Sequence, residues 1–214
     1  CNKFLSDREL QIICQKCGQT TKAEQCDNCQ YVPTIQDMKD GICLECGSKV
    51  VLKNNKNLYL ELSKFQNQIE QYVKENNSLW RINARNETDK YLKQGLVDRA
   101  VTRDLDWGVE IPVPGYESKR MYVWIEAVLG YITATMKKCE GTGQNWEEFW
   151  KNSYNPTIYM VHGKDNIVFH SIIFNALLLA MKEDYHLVNT IVSSEYLNIN
   201  DEKISKSKGN GSPA

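Results

Sequence analysis

The chain has 214 residues, which is enough for one large domain or two small ones. Hydrophobic residues make up 42% and charged residues 25%, the composition of an ordinary globular protein. The formal net charge of −1 excludes nucleic-acid binding driven by overall charge, so such binding would need a local basic patch. No apolar run reaches the ~20 residues of a membrane span, and the first residues do not resemble a signal peptide. We therefore expect no membrane partner.

Six of the eight cysteines form Cys-x-x-Cys pairs, a spacing typical of metal capture by thiolates in a reducing compartment. This usage predicts a cytoplasmic protein rather than a secreted disulfide scaffold. Eight residues separate the first pair, Cys14 and Cys17, from the second, Cys26 and Cys29, and Gly18 supplies a turn. Four thiolates predict one closed, tetrahedral, structural zinc site. The alternative is four reduced cysteines without metal.

The third pair, Cys43 and Cys46, has no complete partner pair, and Cys1 is the nearby spare thiol. A second zinc could use these three thiolates and one ligand that precedes the chain. The alternative is a reduced, metal-free pair. Residues 1–56 have little apolar periodicity, so metal must organise them. Because the chain begins without Met and ends on Gly-Ser-Pro-Ala, we expect it to be incomplete.

The first regular elements after residue 56 are predicted to be mainly helical. A short strand and an amphipathic helix are predicted over 58–75, with a capping box formed by Ser63 and Gln66. A second helix is predicted over 87–94, where a glycine ends it. Residues 99–112 are rich in charge, Trp, Gly and Pro, which indicates a linker packed on a domain surface.

From residue 121 strands and helices alternate, which predicts parallel βαβ units. The predicted strands are 121–125, 157–161 and 187–193, and the predicted helices are 126–136, a short one around 146–150, and 168–182. Ligands of such sheets bind beyond the carboxyl ends of the strands. We therefore expect the residues that follow these strands to line one crevice.

A candidate binding motif follows the second of these strands. Gly163 permits a sharp strand-to-helix turn, and Asp165 can accept a hydrogen bond from a ribose hydroxyl or a substrate ammonium. His170 lies one helical turn after Asn166, so both can face the crevice; His170 could equally be a core histidine. Ala127 and Tyr131 lie one turn apart on the helix predicted over 126–136, and Trp124 lies just before its start; the three either wall an apolar pocket or belong to the core.

Near the C-terminus, residues 203–210 read Lys-Ile-Ser-Lys-Ser-Lys-Gly-Asn. Lysine ammonium groups are mobile point charges that suit phosphate oxygens, and the serine hydroxyls add donors. The alternative is a solvated basic loop. The first five residues resemble the Lys-Met-Ser-Lys-Ser signature of class I aminoacyl-tRNA synthetases, whose loop closes over the triphosphate of ATP.

The order of the motifs extends this resemblance along essentially the whole chain. The Cys-x2-Cys knuckles are followed by Thr-Arg-Asp-Leu-x-Trp-Gly, Tyr-Val-Trp-Ile-Glu-Ala, Gly-Lys-Asp-Asn-Ile-x-Phe-His and Lys-Ile-Ser-Lys-Ser. This order is similar to that of the methionyl-tRNA synthetases. The resemblance implies an α/β fold with a Rossmann-like parallel sheet and a zinc-knuckle insertion domain. Residues 1–120 would be the zinc-binding connective insertion, 121–196 the second half of the Rossmann catalytic domain, and 197–214 the start of the lysine loop.

The resemblance also implies residue roles. The implied methionine pocket consists of Trp124, Ala127, Tyr131 and His170, flanked by Asn166 and Phe174. Asp165 would lie beside the substrate sugar and amino group, and Arg103 near the active site. Lys206, assisted by Lys203, would contact the ATP phosphates, and Ser205 belongs to the same catalytic loop. Two positions depart from the family pattern: Val128 replaces a common Pro, and Phe174 a common Trp.

The implied activity is that of a methionine–tRNA ligase. It would activate L-methionine with ATP and Mg²⁺ to methionyl-adenylate, and then transfer the methionyl group to tRNA(Met). The His-Ile-Gly-His motif of the first Rossmann half is not in this sequence, so we expect the isolated chain to be inactive. Two alternatives remain: another class I synthetase, for a branched or cysteine substrate, or a non-catalytic zinc-knuckle RNA-binding fragment.

Overall fold

The structure is a computed structural model that describes residues 1, 3–5, 7–24, 26, 28–29, 31, 33–199 and 202–203. For residues 199, 202 and 203 it describes the backbone only. The chain divides into two compact units, Cys1–Lys56 and Asn57–Ala214. The domain boundary predicted at residue 120 comes from the resemblance to the family and not from the compactness of the two units. It stays a prediction. Within the described residues, no helix combines the length and the apolar character that a membrane crossing needs.

The first unit is built on a small antiparallel sheet with strand order β2-β1-β3. Its strands are β1 (Leu10–Ile13), β2 (Thr20–Lys22) and β3 (Ile42–Cys43). The buried apolar cluster is correspondingly small: Leu10, Ile12 and Ala23, with Met38 and Val50 packed against it. So few buried side chains cannot offset the conformational entropy of ordering the segment, as the sequence indicated.

The second unit begins with strand β4 (Tyr59–Leu60), a 3-10 turn over Leu62–Phe65, and helices α1 (Gln66–Asn76) and α2 (Ile82–Gln94). Helix α1 turns Ile69, Tyr72 and Val73 into the core. The predicted end of α2 is confirmed, because Gly95 adopts a φ of 83° directly after it.

The predicted capping box is wrong. The Ser63 backbone N–H and hydroxyl donate instead to Asp98 Oδ1, at 3.0 Å and 2.6 Å. The Gln66 side chain accepts from the Leu96 N–H at 2.7 Å and donates to the Leu92 carbonyl at 3.1 Å. Both side chains therefore fasten α1 to the segment around the end of α2 rather than to the first turn of α1.

The predicted linker over 99–112 contains two short strands. β5 (Arg99–Ala100) pairs with β4, and β6 (Thr102–Arg103) pairs with β7 (Arg120–Met121), both antiparallel. The linker prediction is therefore wrong, because these residues find strand partners about 40 and 18 positions away in the sequence.

Helix α3 (Val123–Cys139) follows β7 almost at once. The strand predicted over 121–125 is wrong from residue 122 onward, since Val123, Trp124 and Ile125 form the first turn of this helix. A short 3-10 helix, Trp146–Phe149, corresponds to the helix predicted around 146–150.

A parallel βαβ unit completes the core, as predicted. β8 (Tyr159–Gly163) pairs with β9 (Thr190–Ser194), in register from Tyr159 opposite Thr190 to Gly163 opposite Ser194. The crossover contains a π-helix (Phe169–Ile173) and then α4 (Phe174–Ala180), where the sequence predicted one regular helix. The hairpin β10 (Asn198–Ile199) and β11 (Glu202–Lys203) follows β9.

The apolar core of the second unit covers only one face of β8. The Met160 side chain is buried, whereas Tyr159 and Val161 on the opposite face are 62% and 77% exposed, so only one face of this strand is covered. The largest fully buried side chains of this core come from α1, α3, the crossover and β9: Phe174, Ile69, Ile167, Ile172, Leu178, Ile191, Val128 and Val188.

Candidate functional site

The carboxyl ends of β8 and β9 lie side by side, because Gly163 and Ser194 are partners in the register. The segments that follow both strands therefore meet at one edge of the sheet, where ligands of parallel sheets bind. The segment after β8 is a 3-10 turn over Lys164–Asn166 that continues into the π-helix. The first half of α3 packs against this π-helix.

Aromatic contacts join α3 to the π-helix. The Trp124 indole stacks on the Phe169 ring, with 4.8 Å between centroids and 25° between planes. Tyr131 lies edge-on to the Phe174 ring at 6.2 Å, and its ring is 5.6 Å from that of His170. The structure thus brings together Trp124, Tyr131, His170 and Phe174 from the predicted pocket. Ala127 lies between Trp124 and Tyr131 on α3 and is exposed.

The hydrogen bonds of His170 fix its tautomer. Its Nδ1 is 2.8 Å from the Asn166 carbonyl, which can only accept, so Nδ1 carries a proton. Its Nε2 is 2.9 Å from the Tyr131 hydroxyl. Burial lowers the pKa of His170, and the neighbouring His162 adds to this, although the Asn166 carbonyl opposes it. The imidazole is therefore neutral near pH 7, and Tyr131 donates its hydroxyl proton to Nε2.

His162 begins the motif after the second predicted strand, but the sequence analysis gave it no role. Its ring stacks on that of His170, with 4.3 Å between centroids and 22° between planes. Its Nδ1 donates to the Gly163 carbonyl at 3.0 Å, and its buried Nε2 has no hydrogen-bond partner among the described residues. Burial lowers the pKa of His162 as well. The signal that could have found it is strand alternation, which puts His162 on the same face as the core residue Met160.

A polar network ties the loops after β8 and β9 together. Lys164 Nζ binds Glu195 Oε2 at 2.7 Å and lies 4.2 Å from the centre of the Tyr196 ring. The Tyr196 hydroxyl donates to Asp165 Oδ1. The Glu195 contact raises the pKa of Lys164, and burial, followed by Asp165, raises the pKa of Tyr196 to about 12. The sequence analysis named Asp165 but missed Glu195 and Tyr196.

The Arg103 side chain binds backbone carbonyls of its own strand and of β5. Its guanidinium donates to the Ala100 and Thr102 carbonyls, both at 2.9 Å, and lies 4.3 Å from the centre of the Tyr122 ring. None of the contacts described for Arg103 reaches Tyr131 or His170. Its predicted role near the active site stays a prediction.

The lysine motif is described only at its first residue. The Lys203 backbone belongs to β11, which pairs with β10. Ser205 and Lys206, and the side chain of Lys203, lie outside the described part of the structure. The described backbone puts the start of the motif on a hairpin that begins four residues after the end of β9.

Four cysteines of the first unit form a compact cluster. Cys14 Sγ is 3.6 Å from Cys29 Sγ, and Cys17 Sγ is 3.6 Å from Cys26 Sγ. All four sulfur atoms lie within 4.8 Å of one another. These spacings fit zinc, because Zn–S bonds of ~2.3 Å in a tetrahedron separate the sulfurs by ~3.8 Å. The Gln19 backbone, followed by the Asn28 side chain, lowers the pKa of Cys17 to about 6. The Tyr31 backbone lowers the pKa of Cys29, but burial and the neighbouring thiols together raise it to about 12.

A second cluster contains Cys1, Cys43 and Cys46. Cys1 Sγ is 3.7 Å from Cys43 Sγ and 3.6 Å from Cys46 Sγ. The Cys43 turn repeats the Cys14 turn: in each, the glycine four residues on has a φ near 70° and donates its N–H to the cysteine carbonyl. The three sulfurs thus have the spacing of three corners of a zinc tetrahedron.

A family model described as "tRNA synthetases class I (M)" matches residues 1–212. The chain belongs to the methionyl-tRNA synthetase family. It is 45% identical over 209 residues to methionine–tRNA ligase 1 of Alkaliphilus oremlandii and 45% identical over 210 residues to methionine–tRNA ligase of Bacillus mycoides. Each match covers 97% of this chain and 38% of the relative. The chain therefore spans less than two fifths of the length of these relatives.

Solved structures of the family share the fold. The structure of Mycobacterium tuberculosis methionyl-tRNA synthetase bound by methionyl-adenylate matches with a TM-score of 0.60 and 26% identity. The match covers 80% of this chain and 32% of that chain. A second structure of the same synthetase with methionyl-adenylate matches at 27% identity and the same TM-score. The class I synthetase fold predicted from the motifs is confirmed at this level.

Proposed function

We propose that the protein containing this chain is a methionine–tRNA ligase and that the chain carries its methionine pocket and lysine loop. The protein would form methionyl-adenylate and diphosphate from L-methionine and ATP, and then transfer the methionyl group to tRNA(Met) in the cytoplasm. The observation that carries the proposal is the Tyr131–His170 pair at the strand-end edge, in a chain of the methionyl-tRNA synthetase family.

The proposed pocket suits the methionine side chain. The stacked rings of Trp124 and Phe169 provide an apolar surface, and a thioether makes favourable contacts with aromatic rings. Tyr131 has its hydroxyl proton engaged by His170, so neither group presents an unpaired donor to an apolar ligand. Asn166 and Phe174 would flank the pocket, and Ala127 leaves room on the exposed side of α3.

The proposed ATP site combines Asp165 with the lysine loop. The methionine carboxylate attacks the α-phosphate, so the protein has to align two anions and stabilise the charge on the departing diphosphate. Lys206, with Lys203 and Ser205, would supply this stabilisation, and Asp165 would accept from the ribose or the methionine ammonium. Mg²⁺ would arrive with ATP and neutralise phosphate charge.

Zinc would have a structural role. Cys14, Cys17, Cys26 and Cys29 would form a closed site, which leaves no open position for catalysis. Cys1, Cys43 and Cys46 would hold a second ion together with a ligand outside the described residues. We assign residues 1–120 to the connective insertion, 121–196 to the second Rossmann half and 197–214 to the start of the lysine loop.

Methionine-dependent exchange between ATP and diphosphate by the full-length protein tests the proposal. We expect exchange with methionine and none with cysteine, valine or isoleucine. Exchange with one of those amino acids instead would identify another class I synthetase. RNA binding by a full-length protein that exchanges with no amino acid would support a non-catalytic knuckle module.

The Lys206→Ala variant tests the lysine loop. A contact made mainly in the transition state lowers the rate when it is removed and leaves ground-state affinity nearly unchanged. We expect methionyl-adenylate formation to slow by about 10²-fold or more, the scale of one lost electrostatic contact, with unchanged methionine binding. Lys206→Arg should recover part of the rate. Single-turnover adenylation measures this, and a normal rate in Lys206→Ala would contradict the assignment.

A further inference from the structure

The polar side chain of Asn175 is buried among the apolar side chains of α4. Asn175 has no exposed surface and makes three hydrogen bonds. Its Nδ2 donates to the His170 carbonyl at 2.9 Å and to the Ser171 carbonyl at 3.2 Å. Its Oδ1 accepts from the Val188 backbone N–H at 2.9 Å. The sequence analysis gave this residue no role.

The two carbonyls belong to the π-helix. Residues Phe169–Ile173 adopt this rare helix type between an α-helical turn and α4. Where one helix type changes to another, the regular i to i+4 hydrogen bonds are interrupted, and buried carbonyls need other donors. The Asn175 Nδ2 donates to two carbonyls of the π-helix, so its side chain fastens the backbone of this helix.

The same π-helix carries the proposed pocket. His170 is its second residue, and the Phe169 ring next to it stacks on Trp124. Asn175 therefore holds the backbone of His170 directly, through the carbonyl, while Tyr131 and Asn166 hold the two ring nitrogens. Through Val188, Asn175 also ties this helix to the segment that enters β9.

We propose that Asn175 is a positioning residue for methionine binding: its buried amide maintains the π-helix that directs the His170 ring at Tyr131. This inference rests on the proposed function. Asn175 itself does not touch the substrate. Its effect reaches methionine through the geometry of His170, Tyr131 and Phe169.

The Asn175→Leu and Asn175→Asp variants of the full-length protein test this. Leucine has a similar volume and offers no donor, and aspartate keeps an acceptor for the Val188 N–H while it removes the donor to His170. We expect the KM for methionine to rise about 10-fold in both, the scale of one lost hydrogen bond, with the KM for ATP unchanged. If the leucine variant does not fold, the two KM values of Asn175→Asp test the inference.

Thr88→Val is the matched control. The Thr88 hydroxyl donates to the Ser171 hydroxyl at 2.8 Å, and both residues are fully buried against the same π-helix. The substitution removes a buried hydrogen bond of this helix and leaves the His170 carbonyl and its donor in place. We expect a lower unfolding temperature and an unchanged KM for methionine.

A spectroscopic measurement separates this inference from the proposed function. Side-chain ¹⁵N spectra of the wild-type protein should show His170 as one tautomer, protonated at Nδ1, and Asn175→Asp should lose that single state. If the wild-type protein shows no methionine-dependent exchange, the proposed function fails, and the spectra still test the positioning role. An unchanged His170 spectrum and an unchanged KM for methionine in Asn175→Asp would overturn the inference, as would an equal rise of KM in Thr88→Val.

Discussion

At the scale of single residues, the candidate site depends on the direction of two hydrogen bonds. The Asn166 carbonyl requires a proton on His170 Nδ1, and this leaves Nε2 to accept from Tyr131. The low pKa that burial gives His170 keeps this arrangement at neutral pH. A positive charge next to the proposed methionine pocket is thereby avoided, which would suit an uncharged substrate side chain.

The Tyr131→Phe variant tests this arrangement. The substitution keeps the ring beside Phe174 and leaves the buried His170 Nε2 without a donor. An unsatisfied buried acceptor costs about 1–3 kcal/mol, so we expect methionine affinity to fall about 10-fold and the unfolding temperature to drop. Tryptophan fluorescence titration and thermal unfolding of the full-length protein measure both.

Tyr59→Phe is the control for this variant, because the Tyr59 side chain is 58% exposed on β4. It should leave both quantities unchanged. Wild-type methionine affinity in Tyr131→Phe would show that the hydroxyl does not organise the pocket.

At the scale of elements, Gly95 and Gly130 differ in whether the backbone conformation requires glycine. Gly95 ends α2 with a φ of 83°, whereas Gly130 lies inside α3, and an added methyl group would meet no atom within 4 Å at either position. Steric clash with neighbours therefore cannot explain a difference between them. The backbone conformation therefore determines how an alanine at each position changes stability.

We expect Gly95→Ala to destabilise the second unit by about 1–2 kcal/mol, because L-residues are strained at positive φ. Gly130→Ala should stabilise it by about 0.5–1 kcal/mol, because alanine loses less conformational freedom in a helix. Thermal unfolding of the two variants side by side measures the difference. Equal shifts of the same sign would contradict the conformational explanation.

The elements that the sequence predicted correctly have local signals. Helix α2 ends at a glycine, and the β8–β9 pair follows from alternation of strands and helices. The strand predicted over 121–125 failed because a short apolar run does not separate a strand from a buried helical turn. The strands β5 and β6 were missed because their partners lie far away in the sequence.

The same limit applies to the site. The motifs pointed to Tyr131, Asp165 and His170, but Glu195 joins the candidate site through an ion pair with Lys164, 31 residues away. Asn175 stands inside an apolar run, and no motif marks it. The backbone carbonyls that it serves become visible only in three dimensions.

At the scale of the whole molecule, the two units have different sources of stability. The second unit has a large apolar core, whereas the buried cluster of the first contains Leu10, Ile12 and Ala23. Metal binding in such a segment supplies folding free energy directly. Removal of zinc should therefore affect the units unequally.

We expect the purified full-length protein to hold one tightly bound zinc on Cys14, Cys17, Cys26 and Cys29. A chelator should unfold Cys1–Lys56 and leave the helices of the second unit protected, as amide hydrogen exchange would record. Cys17→Ser should lose this zinc, and Cys139→Ser, at a buried cysteine outside both clusters, should keep it. Protein without zinc by elemental analysis, with all thiols freely titratable, would contradict the prediction.

The hydrogen bonds that join Trp80 and the start of α2 to β9 and the residue before it have a consequence for synthesis on the ribosome. The Trp80 indole, 2% exposed, donates to the Asn189 carbonyl, and Asn83 donates to the Ser193 carbonyl. These partners are 109 and 110 residues apart. At roughly 5–20 residues per second, the nascent chain carries an uncovered Trp80 for about 5–20 s before β9 emerges. The apolar sides of α1 and α2 are thus open to chaperones during that interval, and the arrival of the last core strand ends it.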